Sequence, residues 1–238
     1  MENMMVINCT NITEINNDNY QLLRNAVSKE RRIRADRFQF INDSKRSVCA
    51  ELLLQYNLFQ VVGRLVEMNV VYNEFGKPFM NHMDEFSYNL SHSGKWVVIA
   101  YGSSEVGIDI EEIQSGKEDI ADKFFTEEEK SFIHAATGRE RTKRFTQIWT
   151  LKESYIKYLG TGLSTRLNSF SVNALDGVVT NQNGETQKGL RLKSYLFDTD
   201  YYLSVCSTEE VITINEIKLD GLLQFINRSK RKRNEQIK

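Results

Sequence analysis

The sequence has little of what marks linkers, disulfide frameworks or membrane segments. Pro78 is the single proline, and no Pro-rich or Gly/Ser-rich stretch divides the chain. The three cysteines, Cys9, Cys49 and Cys206, are far apart and include no CxxC pair, so neither a disulfide framework nor a zinc ribbon is expected, and a reducing cytosol fits. No apolar run approaches the roughly 20 residues of a membrane helix, and the N-terminus lacks the pattern of a signal peptide. We expect a cytoplasmic protein without a membrane partner.

Two common nucleotide-binding fingerprints are also missing, because the chain contains neither a P-loop nor a dinucleotide-binding glycine motif. With 40% hydrophobic and 11% aromatic residues over 238 positions, the chain can nevertheless bury a large core. The hydrophobic periodicity favours an α+β fold. We predict mainly helix over 20–60, strands over 86–113 and 168–217, and helices over 118–136 and 139–160.

The net charge is only −1, but charge is strongly segregated along the chain. Residues 24–46 carry eight basic and three acidic side chains, residues 105–129 two basic and ten acidic, and residues 139–157 six basic and two acidic. A metal-dependent enzyme acting on a polyphosphate needs both signs close together, whereas single charge runs are usually solvated faces. The basic run and the basic tail also fit a nucleic-acid-binding module. Without the tail from Arg228, however, 25 basic and 31 acidic side chains leave a net charge of −6, which argues against one.

An internal repeat suggests two similar halves. Residues 99–113 align without a gap on residues 203–217, and both copies alternate apolar and polar side chains as half-buried strands do. Chance similarity between two amphipathic hairpins is the alternative. A real repeat predicts two similar halves in one chain. We place the N-terminal half at residues 1–103, the C-terminal half at 104–227, and a basic, flexible tail at 228–238.

The acidic segment GIDIE at residues 107–111 is the first candidate for chemistry. Asp109 and Glu111 are two residues apart, and side chains at this spacing point to the same face of a strand. The apolar side chains of Val106, Ile108 and Ile110 then point to the other face, into the core. A divalent cation would relieve their repulsion, and oxygen ligands suit Mg²⁺. The alternative is an ordinary solvent-exposed strand face. In the second copy of the repeat Thr213 and Asn215 take these two places, so we expect one metal site per chain.

The segment WTLKESYIKYLG at residues 149–160 is the second candidate. A helix turns about 100° per residue, which places an aromatic ring, a carboxylate and two ammonium groups on one stripe. This stripe contains Trp149, Lys152, Glu153, Ile156, Lys157 and Gly160. The alternative is a surface ion pair between Glu153 and Lys157, worth a few tenths of a kcal/mol.

Three further segments contain donors that suit phosphate oxygens. Lys77 lies in the rigid turn GKP, and Ser91 and His92 lie in NLSHSG. The guanidinium groups of the N-terminal basic run suit a phosphate monoester. These candidates are Arg31, Arg34 and Arg46.

Taken together, these motifs resemble the 4'-phosphopantetheinyl transferases of the surfactin (Sfp) type. The matching segments are GKP at 76–78, NLSHSGKW at 89–96, VGIDIE at 106–111, FFTEEE at 124–129 and WTLKESYIKYLGTGLS at 149–164. The most specific signature is G-x-D-x-E followed about 40 residues later by W-x-x-K-E-x-x-x-K. The resemblance covers roughly residues 25–206, and Ser154 departs from the alanine that is common after the Lys-Glu pair.

The resemblance implies a fold of two similar α+β halves related by a pseudo-twofold. It also implies a monomeric, Mg²⁺-dependent enzyme that transfers the 4'-phosphopantetheine of coenzyme A to a serine of an apo carrier protein. Adenosine 3',5'-bisphosphate would leave. The chain length favours the broad-specificity type over the short trimeric type, but the sequence does not distinguish acyl, peptidyl and polyketide carriers. The alternative is a non-catalytic relative that binds coenzyme A or carrier proteins, and the intact carboxylates argue against it.

The resemblance also implies a role for each candidate. The Mg²⁺ ligands would be Asp109, Glu111 and Glu153. The phosphates of coenzyme A would contact Lys77, Ser91 and His92, the pyrophosphate would contact Lys152 and Lys157, and the 3'-phosphate and adenine would lie near Arg31, Arg34 and Arg46. The general base that takes the serine proton, directly or through a water, would be Glu129 or Glu153.

Overall fold

The computed structural model describes residues 4–236 of the chain. In chain order, its elements are β1 (Met4–Asn11), α1 (Asn17–Arg24), α2 (Lys29–Ala35), α3 (Ile41–Val62), β2 (Val70–Tyr72), β3 (Pro78–Met80), β4 (Ser87–Ser93), β5 (Trp96–Gly102), β6 (Val106–Glu112), α4 (Asp119–Phe124), α5 (Glu127–His134), α6 (Gly138–Leu159), β7 (Phe170–Val172), β8 (Val179–Asn181), β9 (Arg191–Phe197), β10 (Tyr201–Ser207), β11 (Glu210–Glu216) and α7 (Leu219–Gln236). The predicted mixture of helices and strands is confirmed.

The chain divides into two compact units, and neither is continuous in sequence. The first unit contains an N-terminal stretch that ends at Val6, residues 70–94 and residues 100–212. The second unit contains residues 7–69, 95–99 and the chain from residue 213 onward. The chain passes from one unit to the other five times, and three of these passages lie within strands β1, β5 and β11.

The first unit is built on an antiparallel sheet with the strand order β6-β10-β9. Helix α6 packs on this sheet, and the hydroxyls of Thr150 in α6 and Ser204 in β10 hydrogen-bond at 2.7 Å. On β6 the apolar side chains of Val106, Ile108 and Ile110 are fully buried. The prediction that these residues face the core is therefore confirmed.

The second unit contains strands in the order β11-β1-β5 together with helices α1, α2, α3 and α7. Helix α7 packs against α3, where the rings of Tyr56 and Phe225 meet edge to face at 5.6 Å. Residues 228–236 continue α7, whereas the sequence placed them in a flexible tail separate from the fold. That prediction is corrected for this stretch, and residues 237 and 238 lie outside the described part of the chain.

Both copies of the internal repeat contain a strand at equivalent positions. In the ungapped sequence alignment, each residue of β6 is matched to one residue of β11. In the described chain the copies are not hairpins, because β6 pairs with β10 and β11 lies beside β1. In the second copy the Asn215 amide donates to Asn8 Oδ1 at 3.0 Å and to Thr213 Oγ1 at 3.3 Å. Neutral hydrogen-bonding groups thus replace the two carboxylates of the first copy.

The three cysteines are buried and free. Burial raises the pKa of the Cys9 and Cys49 thiols to about 12, which keeps both in the unreactive thiol form.

Among residues 4–236, no helix combines the length and apolar composition that a membrane crossing requires.

The glycine of GIDIE is explained by close packing of α6 on β6. A Cβ on Gly107 would lie 2.0 Å from the Ser154 carbonyl oxygen and 2.3 Å from the Tyr158 nitrogen, and both are backbone atoms. Gly107→Ala should therefore force the helix away from the strand and lower the free energy of unfolding by about 2–3 kcal/mol, as measured by urea denaturation. Gly221→Ala in α7 is the control, because its nearest neighbour is 3.6 Å away. Equal stability of both variants would contradict the close packing.

Candidate active site

Polar side chains of β4 form a ladder along the backbone of β6. Three β6 amides donate to alternate β4 side chains: Ile108 to Asn89 Oδ1 at 3.1 Å, Ile110 to Ser91 Oγ at 3.4 Å, and Glu112 to Ser93 Oγ at 3.1 Å. Alternate residues of a strand share one face, which explains the polar residues at every second position of NLSHS. This ladder holds the acidic strand in register with β4.

Asp109 is buried, with 4% of its surface exposed, and its two oxygens differ. Oδ1 accepts hydrogen bonds from Ser91 Oγ at 2.8 Å and from the Lys157 ammonium at 2.6 Å. Oδ2 is buried and has no hydrogen-bond partner. A buried polar atom without a partner costs free energy, and Oδ2 can therefore accept a further donor or a cation.

The negative charge of Asp109 acts on the carboxyl groups of Glu111 and Glu153. Burial raises the pKa of both carboxyl groups, and the negative charge of Asp109 raises each further. Ser93 opposes this by donating to Glu111 Oε2 at 2.9 Å, and the Lys157 charge opposes it at both groups. The charge of Asp109 thus acts on carboxyl groups of both β6 and α6.

The carboxylate oxygens described above are chemically suited to a divalent cation, but they do not lie close enough together to form a metal site. Oxygen donors of carboxylates are the ligands that Mg²⁺ prefers, and Asp109 Oδ2 is unpartnered. Over residues 4–236, however, no group of three or more His, Cys, Asp or Glu side chains is close enough together to hold a metal ion. In this arrangement Lys157 supplies the positive charge at Asp109.

The raised pKa of Glu111 has a consequence for stability. A carboxyl group whose folded pKa exceeds its unfolded value stabilises the fold below the unfolded pKa, and this contribution is lost as the pH rises through the folded pKa. Without metal or coenzyme A at pH 7.5, Glu111→Gln should therefore raise the melting temperature by about 2–4 °C, the effect of about 1 kcal/mol for a chain of this length. The gain should vanish near pH 4, where the wild-type carboxyl is protonated.

Differential scanning calorimetry at both pH values measures this effect. Glu74→Gln is the matched control, because Glu74 is exposed and surface substitutions change stability by at most about 0.5 kcal/mol. A lower melting temperature for Glu111→Gln at pH 7.5 would contradict the repulsion.

A cavity of about 990 Å³ opens beside Glu153 and Lys157 in the first unit. Its wall is largely apolar and includes Phe75, Phe124, Trp149, Leu163 and Leu167. Leu163 is fully exposed and Phe124 is half exposed. A concave, mainly apolar surface with a few charged groups is typical of a ligand site.

Lys152 and Glu129 form a separate, fully enclosed pair. The Lys152 ammonium donates to Glu129 Oε1 at 2.6 Å and to the Phe170 carbonyl at 2.7 Å, and the two charged side chains are 0% and 2% exposed. Glu129 also accepts from the Val172 amide at 2.8 Å and from the Thr126 amide at 3.0 Å, the second bond being part of the capping box of α5. A pyrophosphate contact for Lys152 and a base role for Glu129 are therefore both corrected, because neither group faces the cavity.

Lys77 lines the cavity, but its ammonium is already occupied. It donates to Glu105 Oε2 at 2.5 Å and to the carbonyls of Tyr158 at 3.0 Å and Val106 at 3.3 Å. No sequence pattern marks Glu105 as a partner of Lys77, because an exposed acid in a turn belongs to no motif. His92 is exposed on β4, and the hydroxyl of Ser91 is directed to Asp109.

The three candidate arginines belong to the second unit. Arg31 pairs with the buried Glu51 at 3.1 Å, and Arg46 pairs with Asp43. Arg34 is exposed on α2. Two of the three guanidinium groups therefore have carboxylate partners before any ligand binds.

Comparison with known proteins identifies the family. The family model of the 4'-phosphopantetheinyl transferase superfamily matches residues 105–206, and that of the N-terminal part of 4'-phosphopantetheinyl transferases matches residues 14–104. Two consecutive models thus cover most of the chain, and the predicted two-part α+β fold is confirmed.

Curated relatives match over most of their length. A 4'-phosphopantetheinyl transferase of Bacillus subtilis is 35% identical over 185 residues, which cover 76% of this chain and 82% of the relative. The 4'-phosphopantetheinyl transferase Sfp of Bacillus subtilis strain 168 is 33% identical over 187 residues, with the same coverage. The enzyme gsp of Aneurinibacillus migulanus is 34% identical over 204 residues, 84% of each chain. The resemblance seen in the motifs is confirmed, and this chain belongs to the 4'-phosphopantetheinyl transferase family.

Proposed function

We propose that this chain transfers the 4'-phosphopantetheine group of coenzyme A to a serine hydroxyl of an apo carrier protein and releases adenosine 3',5'-bisphosphate. The observation that carries the proposal is the ion pair between the buried Asp109 and the Lys157 ammonium, beside a large cavity that Glu153 also lines. Family membership supports the same reaction. A polyanionic substrate and a charged leaving group need both signs of charge at one place.

Asp109, Glu111 and Glu153 would hold Mg²⁺ in the active enzyme. The unpartnered Oδ2 of Asp109 and the raised pKa values of the other two carboxyl groups support this, because a divalent cation relieves both. When bound, Mg²⁺ supplies positive charge to the pyrophosphate oxygens and the leaving group. Since the three carboxylates are not gathered in the free protein, they would have to draw together on binding.

Glu153 would act as the general base in the transfer. It lines the cavity and is partly exposed, so its carboxylate is accessible to a hydroxyl group that enters the cavity. Glu153 would take the proton of the carrier serine, directly or through a water, as the serine oxygen attacks the β-phosphorus. The bond from this phosphorus to the bridging oxygen breaks, and its electron pair leaves with adenosine 3',5'-bisphosphate.

Lys157 would stabilise the charge on that leaving group. Its side chain is 27% exposed and lines the cavity, so a pyrophosphate oxygen can replace Asp109 as its partner. The apolar wall around Phe75, Phe124 and Leu163 would accommodate the pantetheine arm, which carries no net charge. Coenzyme A would thus be held at its phosphates by charge and along its arm by apolar contact.

Lys77, Ser91 and His92 would contact the phosphates of coenzyme A, and Arg31, Arg34 and Arg46 would lie near its 3'-phosphate and adenine. Both assignments rest on the family's motifs. Each group that now has a carboxylate partner would exchange it for phosphate. We further propose that the enzyme acts as a monomer in the cytoplasm, without a nucleic-acid or membrane partner.

The deciding experiment is incubation of the protein with Mg²⁺, coenzyme A and a panel of apo carriers of the acyl, peptidyl and polyketide types. Mass spectrometry should show a gain of one phosphopantetheine on at least one carrier. The relative rates would rank the carriers. Absence of any gain, with binding of coenzyme A intact, would favour a non-catalytic relative and overturn the proposal.

A further inference from the structure

The ammonium of Lys77 has as many partners as it has protons. An ammonium carries three N–H donors and no acceptor. Here the three acceptors are Glu105 Oε2 at 2.5 Å, the Tyr158 carbonyl at 3.0 Å and the Val106 carbonyl at 3.3 Å. Lys77 can therefore donate to a phosphate only if one of these acceptors leaves.

Two of the three acceptors are fixed parts of the backbone. Val106 is a fully buried residue of β6. Tyr158 lies in the last turn of α6, where a carbonyl has no partner within the helix and a cation is favoured by the helix dipole. Glu105 differs from both, because its side chain is 62% exposed and can turn into solvent without disturbing the fold.

The turn that carries Glu105 is held independently of Lys77. The Glu105 carbonyl accepts from Ser207 Oγ at 3.1 Å. The buried carboxylate of Glu209 accepts from Ser103 Oγ at 2.7 Å and from the Ser104 amide at 2.6 Å. The backbone of the turn therefore stays in place when the Glu105 side chain rotates away.

We propose that Glu105 is an affinity-determining residue, whose carboxylate occupies the place on the Lys77 ammonium that a phosphate of coenzyme A takes on binding. The inference rests on the proposed function, since it requires that Lys77 contacts that substrate. Lys77 already lines the cavity that contains Glu153 and Lys157. Glu105 then lowers substrate affinity in the free enzyme and keeps the ammonium in position until the substrate arrives.

Isothermal titration calorimetry of coenzyme A at fixed Mg²⁺ tests the competition. Glu105→Gln removes the competing charge and should lower Kd by about threefold, as expected from the strength of an exposed ion pair. Glu127→Gln is the matched control, because Glu127 is an exposed acid that pairs with Lys130 at 2.9 Å elsewhere in the same unit. Its Kd should equal that of the wild type. An unchanged or higher Kd for Glu105→Gln overturns the inference.

A double-mutant cycle shows whether Glu105 acts through Lys77. Lys77→Met should raise Kd at least tenfold, and adding Glu105→Gln to it should then give no gain. A threefold gain that persists without Lys77 would mean direct repulsion between Glu105 and the substrate, which overturns the inference. If Lys77→Met does not fold, Lys77→Gln serves in the cycle. Failure of the wild type to bind coenzyme A would overturn the proposed function and this inference together.

Discussion

Glu153→Gln should lower the rate of phosphopantetheine transfer by about a thousandfold, within the 10²–10⁴ range of lost acid–base catalysis. The substitution keeps the shape of the side chain but removes both its proton affinity and its negative charge. The rate is measured at saturating coenzyme A and Mg²⁺ by mass spectrometry of the modified carrier. The fold should survive, because the raised pKa of Glu153 means that its charge opposes folding.

Two measurements make this result specific. Glu153→Gln should melt no lower than the wild type, whereas a merely unfolded variant would melt earlier. Glu74→Gln, which removes an exposed acid from a turn, should keep full activity. Transfer by Glu153→Gln within tenfold of the wild-type rate would assign the base elsewhere and contradict the proposed site.

The acidic strand shows how much of the site the sequence could predict. Strand periodicity placed Ile108 and Ile110 in the core and Asp109 on the opposite face. Both isoleucines are fully buried, and Asp109 contacts Ser91 and Lys157. Pattern alone did not indicate that Lys157 is bound to Asp109 or that Oδ2 has no partner. Those facts depend on the separation between β6 and α6, which Gly107 sets through its missing Cβ.

The helix stripe shows where periodicity fails. Trp149, Lys152 and Glu153 were assigned to one face, but neighbouring residues of a helix differ by about 100°. Glu153 lies at the edge directed to the cavity, whereas Lys152 lies at the edge directed to α5, where it meets Glu129. The sequence reports which face is polar but not which element covers each edge, because the partner is 23 residues away.

The segment NLSHS shows a second limit of prediction from sequence, because the same residue type can serve two purposes. Hydroxyl and amide groups bind phosphate, but they also bind backbone amides. Asn89, Ser91 and Ser93 do the latter along β6. For a similar reason the polar residues of 228–236 were predicted to form a flexible tail. Lys, Arg, Glu and Gln are, however, good helix formers, and they extend α7.

Lys152→Met should lower the free energy of unfolding by about 3–5 kcal/mol, because it leaves the Glu129 carboxylate buried without its counter-charge. For a chain of this length that corresponds to a melting temperature lower by about 10 °C. Lys130→Met is the control, since its ion pair with Glu127 is exposed and worth at most about 1 kcal/mol. Thermal and urea unfolding measure both variants.

The double variant Lys152→Met with Glu129→Gln should recover most of the lost stability, because a neutral amide needs no counter-charge and can still accept from the Val172 amide. Below its melting temperature Lys152→Met should bind coenzyme A with wild-type affinity. A variant of normal stability that has lost this binding would instead restore Lys152 to the pyrophosphate site. The two residues of the Lys-Glu pair in the signature therefore have different roles. Glu153 faces the cavity. Lys152 connects α6 to α5 and so fixes the direction in which Glu153 points.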